Sequence, residues 1–162
     1  MQKACQYLYS KGMSRILMAA CAALVLCACG DKPTTMEDLS SVDVQFPNGV
    51  KIRAEAMNND ADRQRGLMYR DSLPQNRGML FYHPREAPNR YYTFQVKFPI
   101  DIVWMDHTRK IVEIAHDVPP CTNATPVGCP VYGGNIPSLF VLETNAGFAD
   151  RNGLKIGDVL IF

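Results

Sequence analysis

The first thirty residues contain no aspartate or glutamate; the first acidic side chain is Asp31. The longest apolar run in that stretch, Ile16 to Ala28, is 13 residues. A helix that spans a bilayer needs about 20, so this run is too short to cross. Histidine is scarce too: His83, His107 and His116 stand far apart. None forms the close His pair or Cys-His cluster of a zinc site, so no metal and no cofactor is expected. No run of Lys and Arg occurs, and no stripe of Arg with aromatics, which argues against a nucleic-acid partner. Internal repeats and low-complexity segments are missing as well. Cysteine is rare outside the leader: Cys5, Cys21, Cys27 and Cys29 precede residue 30, leaving Cys121 and Cys129.

What is present at the start is a basic segment (Lys3, Lys11, Arg15), a short apolar stretch and small residues. That order describes a secretory signal peptide. Its end, "LCAC" (Leu26–Cys29), resembles a bacterial lipobox, which implies cleavage after Ala28 and acylation of Cys29. Met13 is an alternative start, since residues 13–29 form a compact leader alone. Gly30 follows the acylated cysteine; by resemblance to bacterial lipoprotein sorting rules, the lack of Asp there favours the outer membrane, and the periplasmic side is expected rather than the cell surface. Two or more acyl chains give stable attachment, so the membrane is an expected partner.

Three segments follow from this reading: a signal peptide at 1–28, the lipidated Cys29 with a polar tether at 29–41, and one domain at 42–162. The leader holds three of the 17 basic residues and none of the 16 acidic ones, leaving 14 against 16. In an oxidising compartment, Cys121 and Cys129 read first as a disulfide. Seven residues separate them, where a catalytic redox pair usually has two.

Within the domain, "VDVQF" and "VKIRAEA" alternate apolar with polar residues around Asn48-Gly49, which predicts a hairpin over about 42–57. Asn59 or Asp60 begins a short helix predicted to run to Arg70. Strand-like runs follow at "GMLFYH", "RYYTFQVKF", "DIVWMD", "KIVEIAHD", "SLFVLET" and "LKIGDVLIF", with a second short helix in "NAGFADRNG" closed by Gly153. About eight short strands and two small helices predict a mainly β domain, an antiparallel sandwich or barrel.

Several side chains are candidates for chemistry. Arg65 and Arg70 are five apart, so they need not share a helix face. Each is able to present a fork to a carboxylate or phosphate, or to pair with a protein carboxylate such as Asp101 or Glu143. Alternation places Glu143 on a face with Leu139 and Val141, where a carboxylate requires a partner. Asp101 and Glu143 together would suit acid–base work, whereas bonds to Arg or to loop amides would make them structural. His116 and Cys121 would form a thiolate–imidazole pair only if Cys121 were reduced. Tyr91, Tyr92, Phe94, Phe98 and Trp104 fall in two predicted adjacent strands, as core or as a pocket lining. Tyr92 and Phe94 share a face there, the best candidate for an exposed, partner-facing patch.

"RQRGLMYR" (63–70), "GMLF" (78–81), "FPIDIVWMD" (98–106), "IVEIAHDVPPC" (111–121) and "FVLETNAGFADRNGLKIGDVL" (140–160) occur in this order. The set resembles the bacterial and archaeal domain-of-unknown-function family numbered 192, the UPF0127 family, over nearly all of residues 43–161. The resemblance implies a mainly β, jelly-roll-like fold and no agreed activity. Members commonly read Phe-Trp-Met-Lys-Asn where this chain has Tyr91-Tyr92-Thr93-Phe94-Gln95. Phe94 thus replaces a lysine and Gln95 an asparagine, so a ligand bound there in relatives would be held differently.

The sequence therefore points to a lipid-anchored binding or accessory module of the cell envelope, acting through a partner protein or a small envelope ligand. The alternative is a small hydrolase-like enzyme using Asp101 or Glu143. Convergence of Arg65, Gln95, Asp101, Glu143 and Asn145 on one cleft would favour ligand chemistry; separate satisfied pairs would favour an interaction module.

Overall fold

The computed structural model describes residues 40–162, so the leader, Cys29 and the tether lie outside the described residues. The first strands form as the alternation predicts. β1 (Ser41–Gln45) pairs antiparallel with β2 (Lys51–Met57) in the register Val42↔Ala54 and Val44↔Ile52. The turn between them uses Gly49 at φ 85, a value that favours glycine, and the Asn48 side chain accepts from Val50 N at 3.0 Å.

Helix α1 (Asp60–Arg65) is capped by Asn59, whose side chain accepts from Asp62 N. It ends at Gly66, φ 45, and does not reach Arg70 as expected: the positive φ at Gly66 stops the helix. The chain then enters β3 (Arg77–Ala87), which pairs with β2 in parallel. The expected antiparallel arrangement is corrected at this point. Alternation reports which face a residue takes, not strand direction, and the helix-bearing connection over 58–76 supplies the crossover a parallel pair needs.

β4 (Ile100–Met105), β5 (Ile111–Val118) and β6 (Ser138–Asn145) complete a six-stranded sheet of order β1-β2-β3-β6-β4-β5. All pairs but β2–β3 are antiparallel. Helix α2 (Phe148–Arg151) follows β6, with Asn152 as its C-cap and Gly153 at φ 64 just beyond. The fold is thus mainly β with two short helices; the described strands make one mixed sheet.

Two expected strands are absent among the described residues. Residues 90–98 carry only isolated bridges, Tyr91↔Tyr132 and Phe94↔Cys121. Gln95 at φ 59 breaks the extended backbone there. The C-terminal run bridges instead to both edges of the sheet, Gln45↔Ile161 and Lys110↔Val159. It supplies hydrogen bonds that edge strands otherwise leave open.

Both faces of the sheet are buried, and alternation divides them. Leu80, Val103, Met105 and Leu142 face one core, closed by Phe148, Ala149, Leu154 and Leu160 from α2 and the C-terminal segment. Met79, Phe81, Ile102, Trp104 and Val141 face a second core, closed by Leu67, Leu73 and Val96 from the connections. The aperture described next lies on this second face, where loops rather than strands provide the cover.

Candidate functional site

Register fixes the floor of the site. Met79↔Glu143 and Phe81↔Val141 are opposed across β3 and β6, so Phe81, His83 and Glu143 project to the same face. Over them pass α1 with the segment through Met68, and the segment Arg90–Val96. Together these enclose a cleft of about 240 Å³. Asp60, Arg63, Gln64, Arg65, His83, Arg90, Tyr91 and Glu143 supply most of its polar lining, and Leu67, Phe81, Tyr92, Phe94 and Val96 much of the rest.

Glu143 is the unusual member. It is only 5% exposed, and its Oε2 has no hydrogen-bond partner among the described residues. Burial raises its carboxyl to about 8, so the neutral acid prevails at pH 7. Beside it, His83 Nε2 lies 2.9 Å from the Tyr91 hydroxyl. Burial, then the charge of Arg63, lowers the His83 imidazole, which favours the neutral ring. Tyr91 is pushed up by burial and by Glu143, and stays a phenol. The ring of Tyr91 also meets Phe81 edge-on at 5.2 Å between centroids.

The three cleft arginines differ. Arg63 is committed: its guanidinium donates to Asn58 O at 2.9 Å, to Tyr82 O at 2.8 Å and to the Asp60 carboxylate. Arg65 and Arg90 are exposed and make no such bond among the described residues. Arg90 is held by its stem. Its Cγ lies 2.5 Å from where a Cβ on Gly134 would stand, so glycine at φ 74 lets the stem cross the loop.

The wall over 91–96 is braced from outside. Cys121 N donates to Thr93 O at 3.1 Å, Tyr132 and Tyr91 exchange backbone bonds, and Thr93 Oγ1 donates to Pro119 O at 2.7 Å. Cys121 is bonded to Cys129, with Cα atoms 5.7 Å apart. The thiolate–imidazole option is thereby corrected: Cys121 is in a disulfide, and His116 Nδ1 lies 3.1 Å from Asp150 Oδ1.

The sequence candidates divide. Arg65, Tyr92, Phe94 and Glu143 line the cleft. Arg70 does not; it makes a two-pronged ion pair with Glu55 at 2.5 and 2.7 Å, not with Asp101 or Glu143 as weighed above. Gln95 lies beside the cleft wall, and its carbonyl accepts from Tyr69 N at 2.9 Å. Asn145 donates to Leu73 O at 2.8 Å. Asp101 faces the other core: fully buried, it accepts from Asp117 N, Gly147 N and Ala149 N at 2.9, 3.1 and 2.8 Å. Adjacent register (Asp101↔Thr144, Ile102↔Glu143) places Asp101 and Glu143 on opposite faces, so they form no carboxylate pair. Tyr92 and Phe94 meet in the cleft lining although they share no strand. Arg63, His83 and Arg90 were not among the sequence candidates. Counting alternation from Phe81 along β3 would have put His83 on the Glu143 face.

Among the described residues no group of three or more His, Cys, Asp and Glu is placed to hold a metal ion. No described helix is long and apolar enough to cross a membrane.

Fold and site together define a class: a one-sheet β domain whose second face is roofed by loops around a cation-edged cleft. The chain belongs to the DUF192 family, described as an uncharacterized ACR, whose model matches residues 44–162. It is similar to a solved structure from Sinorhizobium meliloti 1021, named a "putative transcription regulator". Identity is 26%, over 75% of this chain and 91% of that one, with a TM-score of 0.65. It is also similar to a protein of unknown function from Novosphingobium aromaticivorans DSM 12444. There identity is 29%, over 75% and 84% of the two chains, with a TM-score of 0.64. No curated protein matches the chain.

Proposed function

We propose that this protein is a lipid-anchored binding module of the bacterial cell envelope, held at the outer membrane facing the periplasm, and that the cleft holds a small ligand. The observation that carries the reading is Glu143: a buried carboxyl with an unpartnered oxygen at the floor of an open cleft. A buried polar group without a partner is costly, and a ligand is the partner the cleft can admit. The lipobox-like "LCAC" and the cysteine pair, which suits an oxidising compartment, support the location. Hydrolysis by two carboxylates has weaker support. Asp101 serves backbone amides on the far face, and Glu55, two strands from Glu143 in the same cross-strand row, is clamped by Arg70.

Two measurements test this. Fatty-acid labelling is expected on the wild type and not on Cys29→Ser; a labelled mutant would sink the anchor. Native mass spectrometry of the full chain, extracted from its own envelope in mild detergent, is expected to show a bound small molecule that Glu143→Leu loses. A bare wild-type protein that crosslinks through Tyr92 to another protein would move the reading to a partner-binding module.

A further inference from the structure

The cleft has a chemical polarity that narrows its ligand. At its edge stand two exposed guanidiniums, Arg65 and Arg90, with no protein anion committed to either among the described residues. Asp60, the acidic residue at the same edge, is engaged by Arg63. The walls between edge and floor are apolar or aromatic: Leu67, Phe81, Phe94 and Val96. The floor carries the Glu143 carboxyl with its free Oε2, next to the His83–Tyr91 pair. As the neutral acid, Glu143 has a proton to donate, so it calls for an acceptor and repels nothing. At about 240 Å³ the cleft has room for a single-ring compound.

Resting on the cleft reading, we propose that the ligand is a small organic anion with a compact apolar body. Its charged end meets Arg65 and Arg90, and a hydroxyl or carbonyl at its far end accepts from Glu143. Guanidinium forks match carboxylates and phosphates alike, so the anion is either a carboxylate or a phosphate ester. A dianion carried to the floor is disfavoured, because the apolar walls would strip its hydration and Arg63, the cation whose charge reaches His83 and Tyr91, is already paired with Asp60.

Calorimetric titration of the full-chain protein with four probes tests this: 4-hydroxybenzoate, benzoate, 4-hydroxybenzamide and inorganic phosphate. 4-Hydroxybenzoate is expected to bind about tenfold or more tighter than the amide, as a charge-assisted contact implies. Arg65→Ala with Arg90→Ala is expected to abolish that ratio; both side chains are exposed, so the melting temperature serves as the folding control. Glu143→Leu is expected to equalise 4-hydroxybenzoate and benzoate while keeping the preference for charge, and Glu143→Gln, which retains a donor, to restore the difference. Equal binding of acid and amide, or an arginine variant that keeps the ratio, overturns the anion assignment. Phosphate binding as tightly as 4-hydroxybenzoate overturns the apolar body. If none of the four binds to well-folded protein, and native extraction also yields no ligand, the cleft reading falls with the inference. A native ligand of another class would overturn the inference alone.

Discussion

Phe94 is joined to Cys121 by a parallel β-bridge, so one wall of the cleft and one end of the disulfide are a single piece of structure. This gives the cysteine pair a place in the site. The disulfide does no chemistry on a ligand; it stiffens the loop against which residues 91–96 lie.

Replacing both cysteines, Cys121→Ser with Cys129→Ser, is expected to lower stability by about 2–3 kcal/mol, the loop-entropy value for so short a loop. Urea unfolding measures it, and reductant added to the wild type is expected to reproduce the variant. Hydrogen exchange is expected to speed at the Cys121 amide, whose acceptor is Thr93 O. An unchanged midpoint would mean that the reduced loop keeps its shape unaided.

Asp101 holds a corner. The register shift between Ile100 and Ile102 against β5 turns Asp117, φ 48, so that its amide reaches the carboxylate. From the other side Gly147 and Ala149 present the open amides at the start of α2, which has no side-chain cap of its own. Asp101→Asn keeps the shape but turns an NH2 towards donors. It is expected to cost about 2–3 kcal/mol in chemical denaturation, and Asp101→Ala at least as much. Ligand binding by the surviving folded protein is expected to be unchanged, because the cleft is on the other face.

Much of this was legible in the sequence, for one physical reason: alternation reports faces. The hairpin, the facing of Glu143 with Val141, and the cap at Asn59 all depend on neighbours a few residues away. What the sequence left open depends on partners far along the chain. Nothing local to "RYYTFQVKF" reveals that Gln95 takes a positive φ, or that Cys121 and Tyr132 supply its backbone partners. Arg70 finds Glu55 only because β2 and β3 run parallel, which alternation cannot report. His83 carries no motif or ligand spacing of its own; only the face it takes on β3 brings it beside Glu143.

The Arg70–Glu55 pair anchors the chain after α1 over the second core. Glu55 is nearly buried and Arg70 about a third exposed. Losing the guanidinium would strand a carboxylate, so Arg70→Ala is expected to cost about 1–3 kcal/mol, between the values for surface and buried pairs. Arg70→Lys cannot make the two-pronged contact and is expected to recover only part. A double-mutant cycle with Glu55→Gln measures the coupling; near-zero coupling would show that the pair is incidental.

Glu143 makes stability depend on pH. Its carboxyl is raised from 4.5 to about 8 by burial, so between these values the folded protein holds a proton that the unfolded chain has released. The folded state then binds more protons, and stability falls as pH rises. The steepest slope a single group gives is about 1.4 kcal/mol per pH unit. His83, lowered from 6.5, works the other way: its contribution is lost as pH falls through its folded value. The cleaner window is therefore about pH 7.5 to 8.5, a full unit or more above the unfolded value of His83, where its ring is largely neutral in both states. The groups lining the cleft with Glu143 are Asp60, Arg63, Arg65, His83, Arg90, Tyr91 and Tyr92. The part of the slope that belongs to Glu143 is the part that Glu143→Gln removes. Urea unfolding of the wild type at pH 7.5, 8 and 8.5 is expected to show falling stability, and Glu143→Gln a flatter line. Parallel slopes for the two proteins would show that Glu143 is already ionised in the folded state, and the acid at the cleft floor would then be a carboxylate.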